Sequence, residues 1–557
     1  MTSVARGQRV IGPATHYVEN QPPVRTEIDE YGANTALRDA VTTFGAAWAH
    51  DELHDVGRLV GSADFQRDAT LANTHSPVAH PHDRWGFRLD EVDYDPAYHR
   101  ILGQAIAHGA HSPVEDRAGA AVARAATFLL FAQGEAGHAC PVSMTHAAAS
   151  TIALSESIAA DWMPRMSSRE YEPRLLPNEE KRSALIGMAM TEKQGGSDVR
   201  ASTTVGTFMG GHSYQLTGHK WFCSAPMSDA FLVLTRTRRG NVDEGLSCIF
   251  VPRLLPRGMR NVFRIQHLKD KLGNRSNASA SIEFDGTVGF LIGEPGRGVR
   301  AISEMVQRTR MDCVLGTAAG MRQSVAEAVW HARGRAAFGR MLVDQPAMTT
   351  VLADLALESE AAMLTGLRLA DAFDADASDE DAAFRRLATP VAKYWVTKRG
   401  PHHAYEAMEV LGGNGYTEDF PLARRYREQP VLSIWEGSGN VVALDALRAL
   451  GREPESGDAL IAELQITAGA SPLLDAHLAR TESLLRAVTG ATNDNAERDA
   501  RRMCEALALA LQASLMLRYA PSVDAEAFIG ARLGEDRGWQ YGVLPRGTDA
   551  AGILARH

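Results

Sequence analysis

SYQLT (Ser213–Thr217), AFLVLTRT (Ala230–Thr237), LSCIFV (Leu246–Val251) and ASIEF (Ala280–Phe284) are short runs rich in β-branched and aromatic residues, all within the stretch from Gly187 to Gly293. Parted by Gly- and Asn-containing turns, they predict an antiparallel β-barrel or sandwich. No helix-length segment alternates with them, which argues against a doubly wound parallel sheet. Outward from this unit the texture is helical on both sides. On the N-terminal side, from Leu37 to Ile152, apolar residues recur three and four apart, as in Ala120–Gln133 (AAVARAATFLLFAQ). On the other side helical periodicity runs from Val299 to Leu411, with breaks predicted at Gly334, Pro346, Pro390 and Pro401, and resumes after Asn440. Gly451–Gly457 (GREPESG) reads as a linker to a last helical region. The predicted class is α+β, mainly α: a helical domain over 1–186, a β-barrel over 187–295, a helical bundle over 296–450 and an appended helical domain over 451–557.

With 45% hydrophobic and 23% charged residues in 557, the chain is a folded protein of several domains and not a disordered one. Its net charge of −10 repels a polyanion unless basic residues gather locally. Cys140, Cys223, Cys248, Cys313 and Cys504 are scattered, with no C-x-x-C pair, and predict reduced thiols in a cytoplasmic protein. Met1–Pro23 carries Arg6 and Arg9 but no apolar run, so no leader is expected. The longest apolar stretch, Ala506–Leu517, contains Gln512 and Ser514 and falls short of the ~20 residues of a membrane span. It predicts a buried helix and no membrane partner. His75, His80 and His82 (HSPVAHPH) lie in what reads as an irregular loop without H-E-x-x-H or Cys partners, and no metal site is expected.

Three segments carry polar groups suited to chemistry. In MTEKQGGSDV (Met190–Val199), Thr191 and Ser197 offer hydroxyls, Gly195 and Gly196 permit close backbone approach, and Asp198 can tie the turn to its own amides. A cofactor grip and an ordinary glycine turn both fit. GHKWFCS (Gly218–Ser224) ends a predicted strand, with Trp221 and Phe222 on opposite faces and Ser224 on the side of Phe222. The plain reading of Trp221 is core. IWEGSGN (Ile434–Asn440) runs into an apolar helix, so Glu436 is placed either as a base or as a helix cap. Ser438 is not a hydrolase nucleophile, since G-x-S-x-G would need glycines where Glu436 and Asn440 stand. Gly412 and Gly413 in LGGNGY, and Arg335 in RAAFG, end helices and could equally meet phosphate or satisfy helix termini.

Taken in order, MTEKQGGSD, GHKWFCS, RAAFG, LGGNGY and IWEGSGN resemble the acyl-CoA dehydrogenase flavoprotein family. LKDKLGNRSNAS (Leu268–Ser279), YREQPVLSIWEGSGN (Tyr426–Asn440) and the helical extension are similar to its AidB-type branch, linked to the DNA alkylation response. The resemblance implies the acyl-CoA dehydrogenase fold, with a four-helix C-terminal bundle, FAD, a homotetramer, and α,β-dehydrogenation of a short or branched acyl-CoA thioester, with an unidentified electron acceptor. It assigns Met190, Thr191, Gly196, Ser197, Phe222 and Ser224 to FAD, and Arg335, Phe338, Gln345, Gly412 and Gly413 to the FAD of a neighbouring subunit. Ser438 and Asn440 close over the ring system, and Arg310 helps hold coenzyme A. Glu436 stands at the usual base position. The alternative base position of isovaleryl-type relatives falls in QRTRM (Gln307–Met311), which offers Thr309 and no carboxylate. Glu409 stands where many relatives have glutamine.

The branch also implies double-stranded DNA as a partner, bound through the C-terminal helices, on a scaffold whose dehydrogenase activity is weak or vestigial. Composition points the other way: residues 451–557 hold 11 Arg and no Lys against 15 acidic residues. Only Arg498, Arg501 and Arg502 share one helical face there, ringed by Asp494, Glu497, Asp499 and Glu505, and a solvated charged face fits the same pattern.

Overall fold

The computed structural model describes residues 13–112 and 117–557; Arg6 and Arg9 fall outside that range. The first region holds α1 (Thr35–Thr43), α2 (His50–Gly61) and α3 (Ala63–Thr74), then a hairpin of β1 (Val78–His82) and β2 (Arg88–Asp93). It continues with α4 (Pro96–Ala107), α5 (Ala120–Gly134), α6 (Ala139–Ile152) and α7 (Glu156–Met166). The hairpin corrects the irregular loop expected at HSPVAHPH. His80 on β1 pairs with Asp93 at 3.0 Å and His75 with Asp95 at 2.8 Å, so these imidazoles answer separate carboxylates.

The β unit comprises β3 (Ile186–Ala189), β4 (Val205–Gly210), β5 (Ser213–Ser224), β6 (Ala230–Arg239), β7 (Val242–Pro252), the short pair β8 (Leu254–Leu255) and β9 (Met259–Arg260), β10 (Arg264–Leu268) and β11 (Ser279–Ile292). Strands β5, β4, β6, β7 and β11 pair in a closed ring, which leaves no open edge among them. The sheet is not wholly antiparallel: β6 takes both β3 and β4 in parallel register along one edge. The continuous apolar run of β6 follows from burial on both faces. Phe231 and Val233 point into the barrel core with Ile249, Val251 and Phe284, while Leu232 and Leu234 face Trp162, Ile186 and Met305 of the flanking elements.

The second helical region contains α8 (Gly298–Ala301), α9 (Ser303–Gly334), a hairpin of β12 (Ala336–Ala337) and β13 (Arg340–Met341), α10 (Pro346–Asp371), α11 (Asp379–Val410), α12 (Pro421–Leu432) and α13 (Gly439–Arg452). Gly334 and Pro346 bound helices as expected, but Pro390 and Pro401 do not break one: both lie inside α11. Proline removes the amide that would bond the carbonyl four residues back. For Pro390 that carbonyl, on Arg386, instead accepts from Gln307 Nε2 at 3.4 Å, so a neighbouring helix supplies the missing donor.

The last region, α14 (Pro454–Gln465), α15 (Pro472–Thr489), α16 (Asn493–Tyr519), α17 (Ser522–Leu533) and α18 (Ala550–Leu554), is not joined by a linker. Arg452 ends α13, Glu453 alone intervenes, and Ser456 is fully buried. Leu460, Leu464, Leu507 and Leu511 belong to the same hydrophobic core as the bundle and the N-terminal helices. Within Ala506–Leu517, Gln512 Oε1 accepts from Trp395 Nε1 at 2.9 Å, which accounts for a polar side chain in a buried helix. No helix of the described residues is long and apolar enough to cross a membrane. All five cysteines are buried free thiols.

Candidate active site

The site is built from two loops. The first leaves β3 at Met190. Glu192, fully buried, pairs with the equally buried Lys220 of β5 at 2.9 Å, and Lys220 also donates to the carbonyls of Met190 and Leu234. The carboxylate of Glu192 accepts in addition from the amides of Thr203 and Thr204 and the hydroxyl of Thr203. Burial alone would raise its pKa, but Lys220 and these donors outweigh it and hold the acid well below the usual carboxylate range. Trp221 N donates to Thr191 O at 2.9 Å, and Asp198 accepts from Arg200 N as the expected Asx turn. Met190 and Thr191 are thereby fixed beside the end of β5, with Gly196 and Ser197 exposed at the turn. Glu192 and Lys220 were readable only as two charges in polar motifs, because nothing local says that they meet.

At the end of β5 the register against β11 shifts: Lys220 opposes Ile282, whereas Cys223 opposes Ala280. Two residues, Trp221 and Phe222, thus face one, which is a β-bulge. The expected alternation fails for this reason. Trp221 is not core but half-buried, with Lys269 Nζ 3.0 Å from its ring centroid, and Phe222 is 50% exposed. Beyond the bulge, Ser224 Oγ lies 3.1 Å from Ser279 Oγ, and Ser279 Oγ accepts from Lys271 Nζ at 3.2 Å. Burial pushes the Lys271 pKa down to about 8. The thiol of Cys140 on α6 lies near Ser224, and burial pushes it up to about 11.

The second loop joins α12 to α13. Three successive carbonyls here, following the C-terminus of α12, are held by two buried cations: Lys393 Nζ from α11 donates to Trp435 O (2.9 Å) and Gly437 O, and Arg310 Nε from α9 donates to Glu436 O (3.0 Å). Cations suit carbonyls left unpaired past a helix end. Arg310 also pairs with Asp445 of α13, so this guanidinium, expected toward coenzyme A, is buried and spent on the loop itself. The clamp holds Glu436 at φ +57°, a left-handed backbone that costs a non-glycine residue of order 1 kcal/mol or more. Strain of that kind survives only where the surroundings impose it. The carboxylate is half-buried, and Oε2 accepts from Thr309 Oγ1 at 2.8 Å. It does not cap α13; the N-cap is Ser438, whose side chain makes no capping bond. Trp435 packs with Cys140, Met144, Ala225 and Met188, which sets Glu436 beside the end of β5 and the β3 loop.

Of the remaining assigned residues, Asn440 follows the Glu436 loop directly, and the others are held by other elements. Arg335 donates to Asn20 O and Gln345 to Ala337 O, so both serve the β12–β13 hairpin. Phe338 at its tip is 99% exposed with φ +53°. Gly412 and Gly413 border open space, Asn440 is exposed in the first turn of α13, and exposed Glu409 accepts from Tyr405. Arg498, Arg501 and Arg502 are exposed on α16, Arg502 pairing with Asp499 at 3.2 Å. Elsewhere, Glu360, Asp524 and His557 bring possible metal-ligand atoms within 4.8 Å of one another, but Arg556 pairs with both carboxylates.

Three family models cover most of the chain: the adaptive response protein AidB N-terminal domain over residues 20–173, the acyl-CoA dehydrogenase middle domain over 187–287 and the acyl-CoA dehydrogenase C-terminal domain over 296–451. AidB of Escherichia coli (strain K12) is 44% identical over 92% of this chain and 94% of its own. The crystal structure of Caenorhabditis elegans ACDH-11 in complex with C11-CoA superposes with a TM-score of 0.83 at 25% identity, covering 95% of this chain and 94% of that one. An acyl-CoA dehydrogenase from Bacillus anthracis complexed with FAD shares the fold, with a TM-score of 0.65 at 16% identity over 79% of this chain and 81% of that one. FAD is the cofactor of this family. The residues present fit such a group: β5 ends in a half-exposed aromatic ring at 222 and a hydroxyl at 224, and the glycine turn at 195–196 follows Thr191, whose carbonyl accepts from Trp221 N. Trp435, next to Glu436, packs against Ala225 just past β5. The chain belongs to the acyl-CoA dehydrogenase family, in its AidB-type branch.

Proposed function

We propose that this protein is an FAD-dependent dehydrogenase that forms the α,β double bond of a short or branched acyl-CoA thioester. The observation that carries the reading is the clamped Glu436, whose carboxylate accepts from Thr309 and whose strained backbone is held beside the end of β5 while Arg310 and Lys393 fix the loop beneath it. Its free Oε1 is the proton acceptor for the α-carbon, and Thr309 keeps the other oxygen from turning away. The bound flavin supplies the hydride acceptor for the β-carbon. Met190 and Thr191, held through the Glu192–Lys220 pair, Phe222 and Ser224 orient the ring system, and Ser438 and Asn440 close the opposite side. Arg335, Phe338, Gln345, Gly412 and Gly413 complete the FAD site of a neighbouring copy in a homotetramer, consistent with the bare Phe338 ring. The protein acts in the cytoplasm and passes electrons to an acceptor of unassigned identity.

Glu436→Gln tests the assignment. The variant is expected to keep its yellow FAD complex and lose anaerobic bleaching of the flavin by acyl-CoA; bleaching at the parent rate overturns it. A second reading, duplex DNA binding in the alkylation response, draws on Arg498, Arg501 and Arg502, with Arg501 and Lys398 both beside Gly439. It requires salt-sensitive duplex binding that weakens in an Arg498→Ala/Arg501→Ala variant.

A further inference from the structure

Where the β1–β2 hairpin meets the barrel, the structure opens a cavity of about 250 Å³ that contains none of the residues assigned to flavin or thioester. Four arginines line it, Arg88, Arg253, Arg260 and Arg264, together with Asp90 and an apolar wall that includes Leu89 and Phe263. The hairpin is fastened there by Ile265 N donating to Asp90 Oδ1 at 2.8 Å and by Arg88 Nη2 donating to Ile265 O at 3.1 Å. The cavity is therefore a seam between two regions of the chain rather than a surface dimple.

Among the residues that line it, four arginines stand against one carboxylate, Asp90. Arg88 pairs with Asp90, Arg260 with Glu91, and Arg264 with Asp285. Arg253 donates to the carbonyls of Pro226 and Asp90 and forms no ion pair with a carboxylate among the described residues, although it is only 3% exposed. Glu91 and Asp285 answer Arg260 and Arg264 from outside the lining and Glu283 acts on Arg88, while Arg253, at the floor over the Phe263 ring, is stabilised by Asp90 and Glu91 without pairing directly with either. The lining itself thus carries more positive than negative charge, and its field attracts an anion entering the cavity. Burial lowers the Arg253 pKa to about 10, so the group is still charged at neutral pH. At the rim, Arg260 and Arg264 keep 45% and 39% of their side chains exposed. A guanidinium has five N–H donors and one carboxylate occupies at most two, so both present free donors.

We propose that this cavity binds a phosphoryl group carried on a small, partly apolar molecule. Forked guanidinium donors match tetrahedral phosphate oxygens, the excess of arginine in the lining supplies the charge, and Leu89, Leu175 and Val262 cover the organic part. The volume lies near the lower end of small-molecule sites, which rules out a duplex seated inside it.

The probe is phenyl phosphate, titrated calorimetrically into the FAD-loaded protein, with inorganic phosphate and a short DNA duplex as parallel arms. One phenyl phosphate per chain is expected, with a dissociation constant below about 1 mM and weaker binding of inorganic phosphate. Arg260→Gln and Arg264→Gln are each expected to weaken phenyl phosphate at least about tenfold while FAD content and apparent Tm stay at parent values. Absence of saturation, or parent affinity in both variants, overturns the site. Equal binding of the two phosphates overturns the apolar half of the ligand. Displacement of phenyl phosphate by the duplex at lower concentration overturns the small-molecule assignment in favour of a nucleic-acid strand.

Discussion

Replacing Lys220 by methionine removes one half of the ion pair that fixes the β3 loop and keeps most of the apolar stem. Glu192 then stays buried with its threonine donors but no cation. Breaking a buried pair from one side costs about 3–5 kcal/mol, because the remaining charge is uncompensated. At about 1.4 kcal/mol per decade this is two to nearly four decades in the opening equilibrium of the loop. Hydrogen exchange across residues 190–204 reads that equilibrium locally, which suits a chain of several regions whose global unfolding is not two-state. Exchange there should accelerate by about that factor while α5 and α10 are unaffected, and FAD retention should fall. The double variant Glu192→Gln/Lys220→Met removes both charges and should recover more than half of the loss. Exchange within tenfold of the parent in Lys220→Met, or equal exchange in the single and double variants, would show that the pair does not hold the loop.

Thr309→Val deletes the hydroxyl that donates to Glu436. A hydrogen bond to a charged acceptor is worth about 1.5–3 kcal/mol, so flavin reduction by acyl-CoA should slow by roughly tenfold to a hundredfold with unchanged thioester affinity, and Thr309→Ser should restore it. An unchanged reduction rate in the valine variant would remove Thr309 from the site. Lys271 has a folded pKa of about 8, below the ordinary lysine value of 10.5. Between these values the unfolded chain binds more protons, so this group's contribution to stability rises with pH across the window and is lost as pH falls through 8. The apparent Tm of the parent minus that of Lys271→Met should therefore increase from pH 7 to pH 9.5; a flat difference sinks the assignment.

The amino-acid order alone determined the elements whose cause is local. Period-two and continuous apolar runs from Ser213 to Phe284 specify strands, since side chains alternate and both faces of β6 are covered. Three- and four-residue spacing specifies the helices, and the glycines beside Glu436 and at 195–196 mark loops. What the tertiary structure decided rests on residues far apart in the chain. The bulge that turns both Trp221 and Phe222 outward arises from pairing with β11. Pro390 sits inside α11 because Gln307 of another helix bonds the freed carbonyl. GREPESG continues into helix because Ser456, Leu460 and Leu464 find a core to enter. Above all, the cations that hold Glu436 in its strained backbone come from positions 310 and 393. Only folding lets charge and carbonyl meet, so no pattern confined to one segment could encode that clamp.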